Sequence, residues 1–371
     1  SGNAISVINS RHEQGVAYMA FGYSQSTGKV GAYAVVPGPG ILNTTAALST
    51  AYACNTRVLA ITGQIPSTSI NKGFGMLHEI PEQLEVMKGL TKHSARINHP
   101  TEAPQKISEA FRQLRSGRPR PVGLEMPMDI MWKKSEVTLG SRTSGCPAPL
   151  PDPDLVEKAA KILGESQQPM IFVGGGAYEA CQEIKTLAET LQAPVISYQN
   201  GRGILDERHY LAHTNTAGAI LWKNCDAAIS IGCRMQAERM SWGMDDALKI
   251  IHVDIDPTEI NRIMKPDVGL VSDAAFTTRK IVDALNKYNI KRTSREEEML
   301  NLKAQAEKLM EEKAGPQMAW LRAIRDVLPD NGLFVDEFTQ VGYVSRVGFP
   351  VYNPRSMITP GYQGTLGYGY A

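Results

Sequence analysis

Apolar and polar positions alternate between two patterns along the first third of the chain. Gln14 to Gln25 and Thr101 to Ser116 place apolar residues at helical spacing, and Asn43 to Tyr52 reads as another helix. Between them lie short apolar runs rich in β-branched residues, Val30–Val36, Arg57–Thr62 and Pro121–Met126. Runs of this kind read as strands buried on both faces, the habit of parallel sheets. Strands alternating with helices predict an α/β fold. Ligands of such sheets collect at the carboxyl ends of the strands. Pro37-Gly38-Pro39-Gly40 and Gly63 fall at two of those ends.

The middle of the chain repeats the style. Pro169–Val173 runs as a strand into Gly174-Gly175-Gly176, with a helix expected over Ala177 to Leu191. Asp226–Ile231 is a strand closed by Gly232, and Lys249–Asp254 is a third, followed by Asp256-Pro257 and a short helix. The pattern is Rossmann-like and doubly wound. Gly174-Gly175-Gly176 is not a GxGxxG signature, because Glu179 stands at the last position. It is either a tight strand-to-helix turn or a seat for a nucleotide phosphate at a helix start.

Two seams divide the chain. From Trp132 to Asp154 periodicity stops and Pro, Ser, Thr and Gly dominate, as in an exposed linker. Arg292 to Ala319 is heavily charged and reads as a solvated helix ending near Gly315-Pro316. The expected blocks are 1–140, 150–290, a charged helical linker over 291–316, and 317–371.

Composition adds mostly exclusions. The chain has 371 residues, 42% hydrophobic and 21% charged, with 39 Lys and Arg against 38 Asp and Glu. A balance of +1 gives no electrostatic reason to expect nucleic acid or an anionic membrane surface. Arg112, Arg115, Arg118 and Arg120 read as a solvated helix end. No apolar run is long enough for a membrane helix. The Ser1-Gly2-Asn3-Ala4 start carries no signal-peptide pattern. The five cysteines are scattered and none pair as CxxC, which fits a reducing, cytoplasmic setting. His78-Glu79 opens like a zincin motif, but Glu82 stands where HExxH needs its second histidine, so no metal site is read there.

Several short motifs then come in order: Arg11-His12-Glu13-Gln14-Gly15, Thr27-Gly28-Lys29, Gly38-Pro39-Gly40 with Asn43, Ala60-Ile61-Thr62-Gly63-Gln64, Thr91-Lys92-His93 and Gly117-Arg118-Pro119-Arg120-Pro121. Together they resemble the pyrimidine-binding domain of the thiamine-diphosphate enzymes of the acetolactate synthase, pyruvate oxidase and benzoylformate decarboxylase superfamily. Gly232-Cys233-Arg234 and His252–Pro257 resemble its central domain. Ile358–Gly361 with Gly364-Thr365-Leu366-Gly367-Tyr368-Gly369 resembles the opening of its diphosphate-binding domain. The resemblance covers nearly the whole chain.

It implies an enzyme acting on small 2-oxo acids with thiamine diphosphate and Mg²⁺, acetolactate synthase-like, working as a homodimer or homotetramer. The oxalyl-CoA decarboxylases and 2-hydroxyacyl-CoA lyases are a second reading within the superfamily. A non-catalytic nucleotide-binding or assembly module is a third. The chain lacks the Gly-Asp-Gly…Asn stretch that holds Mg²⁺ in family members, and it lacks the domain's first strand and helix. It is therefore expected to be a piece of a longer enzyme and to bind the cofactor weakly alone.

The resemblance also assigns roles. Glu13 would bond N1′ of the aminopyrimidine from a dry pocket that raises its pKa; without that context it is an acid favoured by a helix start. Pro37, Gly38 and Gly40 would let backbone approach the pyrimidine or substrate. Asn43 would cap the next helix or touch the cofactor. Gly364 belongs to the cofactor stretch, where Leu366 would wedge beneath the cofactor or pack in the core. His78 stands where acetolactate synthases carry glutamine facing the reaction centre; it would relay a proton or orient a carboxylate, unless it is an ordinary loop residue. Arg234, in Gly232–Gln236, resembles the central-domain segment that contacts FAD in acetolactate synthases and that other relatives keep without a flavin, while Gly174 and Gly175 belong to the candidate nucleotide-phosphate turn.

Overall fold

The computed structural model describes residues 6–140, 143–243 and 247–370. The Ser1–Ala4 start and two residues of the Trp132–Asp154 linker lie outside them. The chain forms two compact units, Ser1–Pro147 with Pro360–Ala371, and Ala148–Thr359.

The first unit runs α1 (Glu13–Thr27), β1 (Gly31–Val35), α2 (Pro39–Asn43), α3 (Thr45–Ala53), β2 (Val58–Gln64), α4 (Gln83–Leu90), β3 (His93–Arg96), α5 (Ala103–Arg115), β4 (Val122–Pro127) and α6 (Met128–Trp132). Its four strands make one parallel sheet in the order β1-β2-β4-β3. Parallel strands bring their carboxyl ends to one edge, so the turn after β1, Gly63 in β2 and Glu125 in β4 gather there. The expected strands fall within two residues of those observed. No expectation covered α4 or β3. The latter is an edge strand with only Ala95 fully buried, so His93, Ser94 and Arg96 erase the apolar signal.

The segment after Thr359 belongs to this unit. Tyr368 is buried, with its ring 6.1 Å from Tyr18 and 6.4 Å from Phe21 of α1. The Thr365 hydroxyl pairs with that of Thr50 in α3.

The second unit runs α7 (Pro153–Glu165), β5 (Pro169–Val173), α8 (Cys181–Leu191), β6 (Val195–Ser197), β7 (Ala212–Thr214), α9 (Asn215–Leu221), β8 (Ala227–Ile231), β9 (Lys249–Asp254), α10 (Pro257–Ile260), β10 (Val268–Val271), α11 (Ala274–Leu285), α12 (Glu296–Val327), β11 (Phe334–Val335), α13 (Gln340–Gly348) and β12 (Met357–Ile358). Six parallel strands stand in the order β10-β9-β8-β5-β6-β7. Counted from β5, that is the 3-2-1-4-5-6 order of dinucleotide-binding folds. One expectation is corrected: Gly175–Ala177 is a 3-10 turn, and α8 begins only at Cys181. The charged helix breaks where expected: α12 is two helices joined across a kink at Ala314 (φ −149°, ψ 37°), just before Gly315-Pro316, and the second reaches Val327. Pro316 lacks the N–H that would continue the first helix and is tolerated at the start of the second. β11 and β12 form a two-stranded parallel sheet of their own.

Two buried histidines make this unit acid-sensitive. Burial, with Lys303 next, pushes His213 down to about 3; burial, with Arg239 next, pushes His252 down to about 4. The unfolded chain takes up these protons below about pH 6.5 and the folded chain does not, so stability falls as pH drops from about 6.5 towards 4. A lower melting temperature at pH 5 than at pH 7 is expected, with the difference reduced in the double variant His213→Gln, His252→Gln. Identical pH profiles for variant and parent would refute the assignment.

Candidate functional site

The site is assembled at the carboxyl edge of the first unit's sheet. Glu13 is the first residue of α1, which His12 caps by accepting the Gln14 N–H on Nδ1 at 3.1 Å. The Glu13 carboxylate accepts a hydrogen bond from Asn43 Nδ2 at 3.1 Å. Asn43 is thereby placed: it does not cap α3, whose N-cap is Thr44, but reaches back to Glu13. The two residues singled out from separate motifs meet. The Glu13 pKa is lowered, not raised, because a backbone N–H and then the Asn43 amide stabilise the anion at an open helix start.

Asn43 ends the short helix that starts just after Gly38. Gly38 has φ +62°, a left-handed conformation that costs other residues strain. A Cβ there would lie 2.5 Å from the His78 carbonyl oxygen. The close approach that glycine permits is thus to the backbone of His78, and it ties the turn after β1 to the loop over 73–79. Glu79 braces this loop by accepting from the Gly73 N–H at 3.1 Å and the Met76 N–H at 2.8 Å. Beside it lies a cavity of about 540 Å³, lined by Gln64, Ile65, Ile70, Met76 and Glu79 among others. His78 is not in its lining. Gly38→Ala adds both strain and a clash, and a loss of about 1–3 kcal/mol of unfolding free energy is expected in denaturant titrations. A change below about 0.5 kcal/mol would contradict the described contact.

Pro37 packs against Gly63, and Gly40 packs against the Val36 side chain, so neither glycine leaves open space. Leu366 is 69% exposed and is not a core residue; Gly364 before it has φ +64°. In the second unit, Gly174 and Gly176 allow the backbone to pack on Gly232, with gaps to an added Cβ of only 2.6 and 2.7 Å, and Gly175 faces Asn200. The Arg234 guanidinium pairs with the buried Glu259, 2.6 Å from its Nε. These contacts are those of a tight strand-to-helix turn.

Sequence reasoning missed a buried polar group next to Gly38. Gln83, Gln64 and Glu125 are 1%, 4% and 0% exposed. Glu125 pairs with Arg96 Nε and accepts from Gln83 Nε2 at 2.9 Å. The available signal was an acid inside the apolar run Pro121–Met126, since a carboxylate is seldom fully buried unless paired. Among the described residues no cluster of three or more His, Cys, Asp or Glu side chains is placed to hold a metal ion. No helix among them is long and apolar enough to cross a membrane.

Comparison with known proteins agrees with this geometry. Residues 1–86 match the family model of the thiamine pyrophosphate enzyme N-terminal TPP binding domain, and residues 156–284 match that of the central domain. A probable acetolactate synthase large subunit of Methanocaldococcus jannaschii is 31% identical over 98% of this chain and 65% of its own length. A probable 2-ketoarginine decarboxylase of Pseudomonas aeruginosa is 30% identical over 99% of this chain and 67% of its own. The acetolactate synthase isozyme 1 large subunit of Escherichia coli is 26% identical over 98% and 66%. The chain thus spans about two thirds of the length of these relatives. With the motif order, the parallel sheets and both family models in agreement, the chain belongs to the thiamine pyrophosphate enzymes.

Proposed function

We propose that this chain supplies the pyrimidine-binding and central parts of a thiamine-diphosphate enzyme that decarboxylates and ligates small 2-oxo acids, in the manner of an acetolactate synthase. The observation that carries the proposal is the Glu13 carboxylate, anionic at the start of α1 and oriented by Asn43. Its donor set fits the aminopyrimidine. When bound, thiamine diphosphate supplies a nucleophilic carbon for attack on a carbonyl and an electron sink for decarboxylation. Glu13 holds a proton at the pyrimidine N1′ and tunes the exocyclic amine, while the Gly38 turn and His78 loop form the wall beside it. The exposed Leu366 is free to support the cofactor from below. Mg²⁺ is part of the proposal, with no ligand assigned to the described residues. A flavin is left outside the proposal: Arg234 is paired with Glu259, and Gly174 packs on Gly232.

Exposed apolar residues in the first unit, Ile8, Phe74, Leu77 and Tyr362 among them, support a homo-oligomer. Five free cysteines support a cytoplasmic setting. The test is calorimetric titration of the complete protein with thiamine diphosphate and Mg²⁺, followed by assays of carbon dioxide and acetolactate from pyruvate. Saturable binding with both products is expected. Absence of binding and of carbon dioxide release would overturn the reading.

A further inference from the structure

Gln83, the first residue of α4, has one amide acceptor and two amide donors, and all are used on different segments. Its Oε1 accepts from the Gly38 N–H at 2.9 Å, in the turn after β1. Its Nε2 donates to the Gly63 carbonyl at 3.0 Å, in β2, and to Glu125 Oε2 at 2.9 Å, in β4. The Glu125 carboxylate also receives Gln64 Nε2 at 3.4 Å and is paired with Arg96 on β3. Two strand ends and the turn before α2 therefore converge on one buried amide, and β3 joins them through Glu125. Gly38 is also where the backbone of His78 makes its closest approach.

We infer that Gln83 is a positioning residue for the cofactor site: it sets the backbone of the Gly38 turn, and through it the His78 loop, without touching cofactor itself. The inference rests on the proposed function for what the turn faces, but not for what holds the turn. Gly38 is buried and strained, and among the described residues its N–H donates to one side chain, that of Gln83. No other amino acid of this size offers one acceptor and two donors in a plane. A methionine of similar shape removes three hydrogen bonds; the Gly63 carbonyl keeps Thr62 Oγ1 and Glu125 keeps Gln64 and Arg96, while the Gly38 N–H loses the acceptor that holds it. A glutamate keeps the acceptor, loses the donors and sets a second carboxylate against Glu125, so it regains a donor only when the pair shares a proton.

The test uses Gln83→Met and Gln83→Glu in the complete protein, with amide hydrogen exchange as the first readout. Gln83→Met should lower protection of the Gly38 amide about tenfold while α5 of the same unit keeps its protection. In Gln83→Glu that protection should recover as pH falls, and Gln83→Met should show no such recovery. Thiamine diphosphate affinity should weaken in Gln83→Met in step with the Gly38 exchange. An unchanged Gly38 amide, or equal loosening of Gly38 and α5, would mean that Gln83 is only a packing residue. A freed Gly38 with unaltered cofactor affinity would also overturn the inference. If the parent protein binds no thiamine diphosphate, the proposed function fails, and the exchange data still decide whether Gln83 sets the turn.

Discussion

Glu13→Gln in the complete protein is expected to leave the fold intact and to slow exchange of the cofactor C2 proton by about 10²–10⁴-fold. Glu13 sits at an open helix start and its side chain makes one tertiary hydrogen bond, to Asn43, which a glutamine carbonyl can still accept. What the amide cannot do is share a proton with a ring nitrogen. The lowered pKa of the free residue sharpens the point: the carboxyl waits as an anion and gains its proton partner only with the pyrimidine in place. Exchange followed by NMR on quenched samples separates this step from substrate binding. Equal rates in variant and parent would remove Glu13 from the mechanism. Asn43→Ala should have a smaller effect in the same direction, since it disturbs orientation and not proton transfer.

Arg96→Met is expected to be the most damaging single change to stability, with a loss of about 3–5 kcal/mol. The Glu125 carboxylate has no solvent exposure, while the Arg96 side chain keeps 21%. Removing the cation leaves a buried carboxylate with only two amides, Gln83 and Gln64, as partners. Adding Glu125→Gln to Arg96→Met should recover part of the loss, because the second change removes the orphaned charge. Chemical denaturation of the three variants measures both effects. A cost below about 1 kcal/mol for Arg96→Met, or strict additivity in the double variant, would show that the pair is not coupled as described.

What the sequence could disclose depended on how local each signal was. β2, β4, β5, β8 and β9 announce themselves because buried parallel strands are written as unbroken apolar runs, and β1 is apolar too although it is an edge strand whose residues alternate between buried and exposed. Glu13, Gly38 and Asn43 were legible as candidates from the order of motifs. That Asn43 turns back to Glu13 was not, because capping of α3 and a contact across 30 residues draw on the same side chain. The Gln83 group stayed hidden for the same reason. Its hydrogen-bonded members lie 20 to 61 residues apart, and only Glu125, an acid inside an apolar run, stands out in its own window. The triple glycine supports two readings at once. Its composition fits a phosphate turn, yet close packing of two backbones at β5 and β8 demands the same residues. The break expected near Gly315-Pro316 is present at Ala314, whereas the second helix beyond it, held by packing of Met318 and Leu321, had no local signal.

The return of the last described segment to the first unit sets an order of events on the ribosome. α1 and α3 leave the exit tunnel early, but their partners Thr365 and Tyr368 follow only after the whole second unit has been translated. At ~5–20 residues per second that interval lasts on the order of 15–70 s. During it Tyr18 and Phe21 lack the ring that later covers them, and the nascent first unit must wait incomplete while its neighbour folds. Release of a chain cut before Pro360 would therefore leave this aromatic surface permanently open, a ready target for chaperone capture and for aggregation.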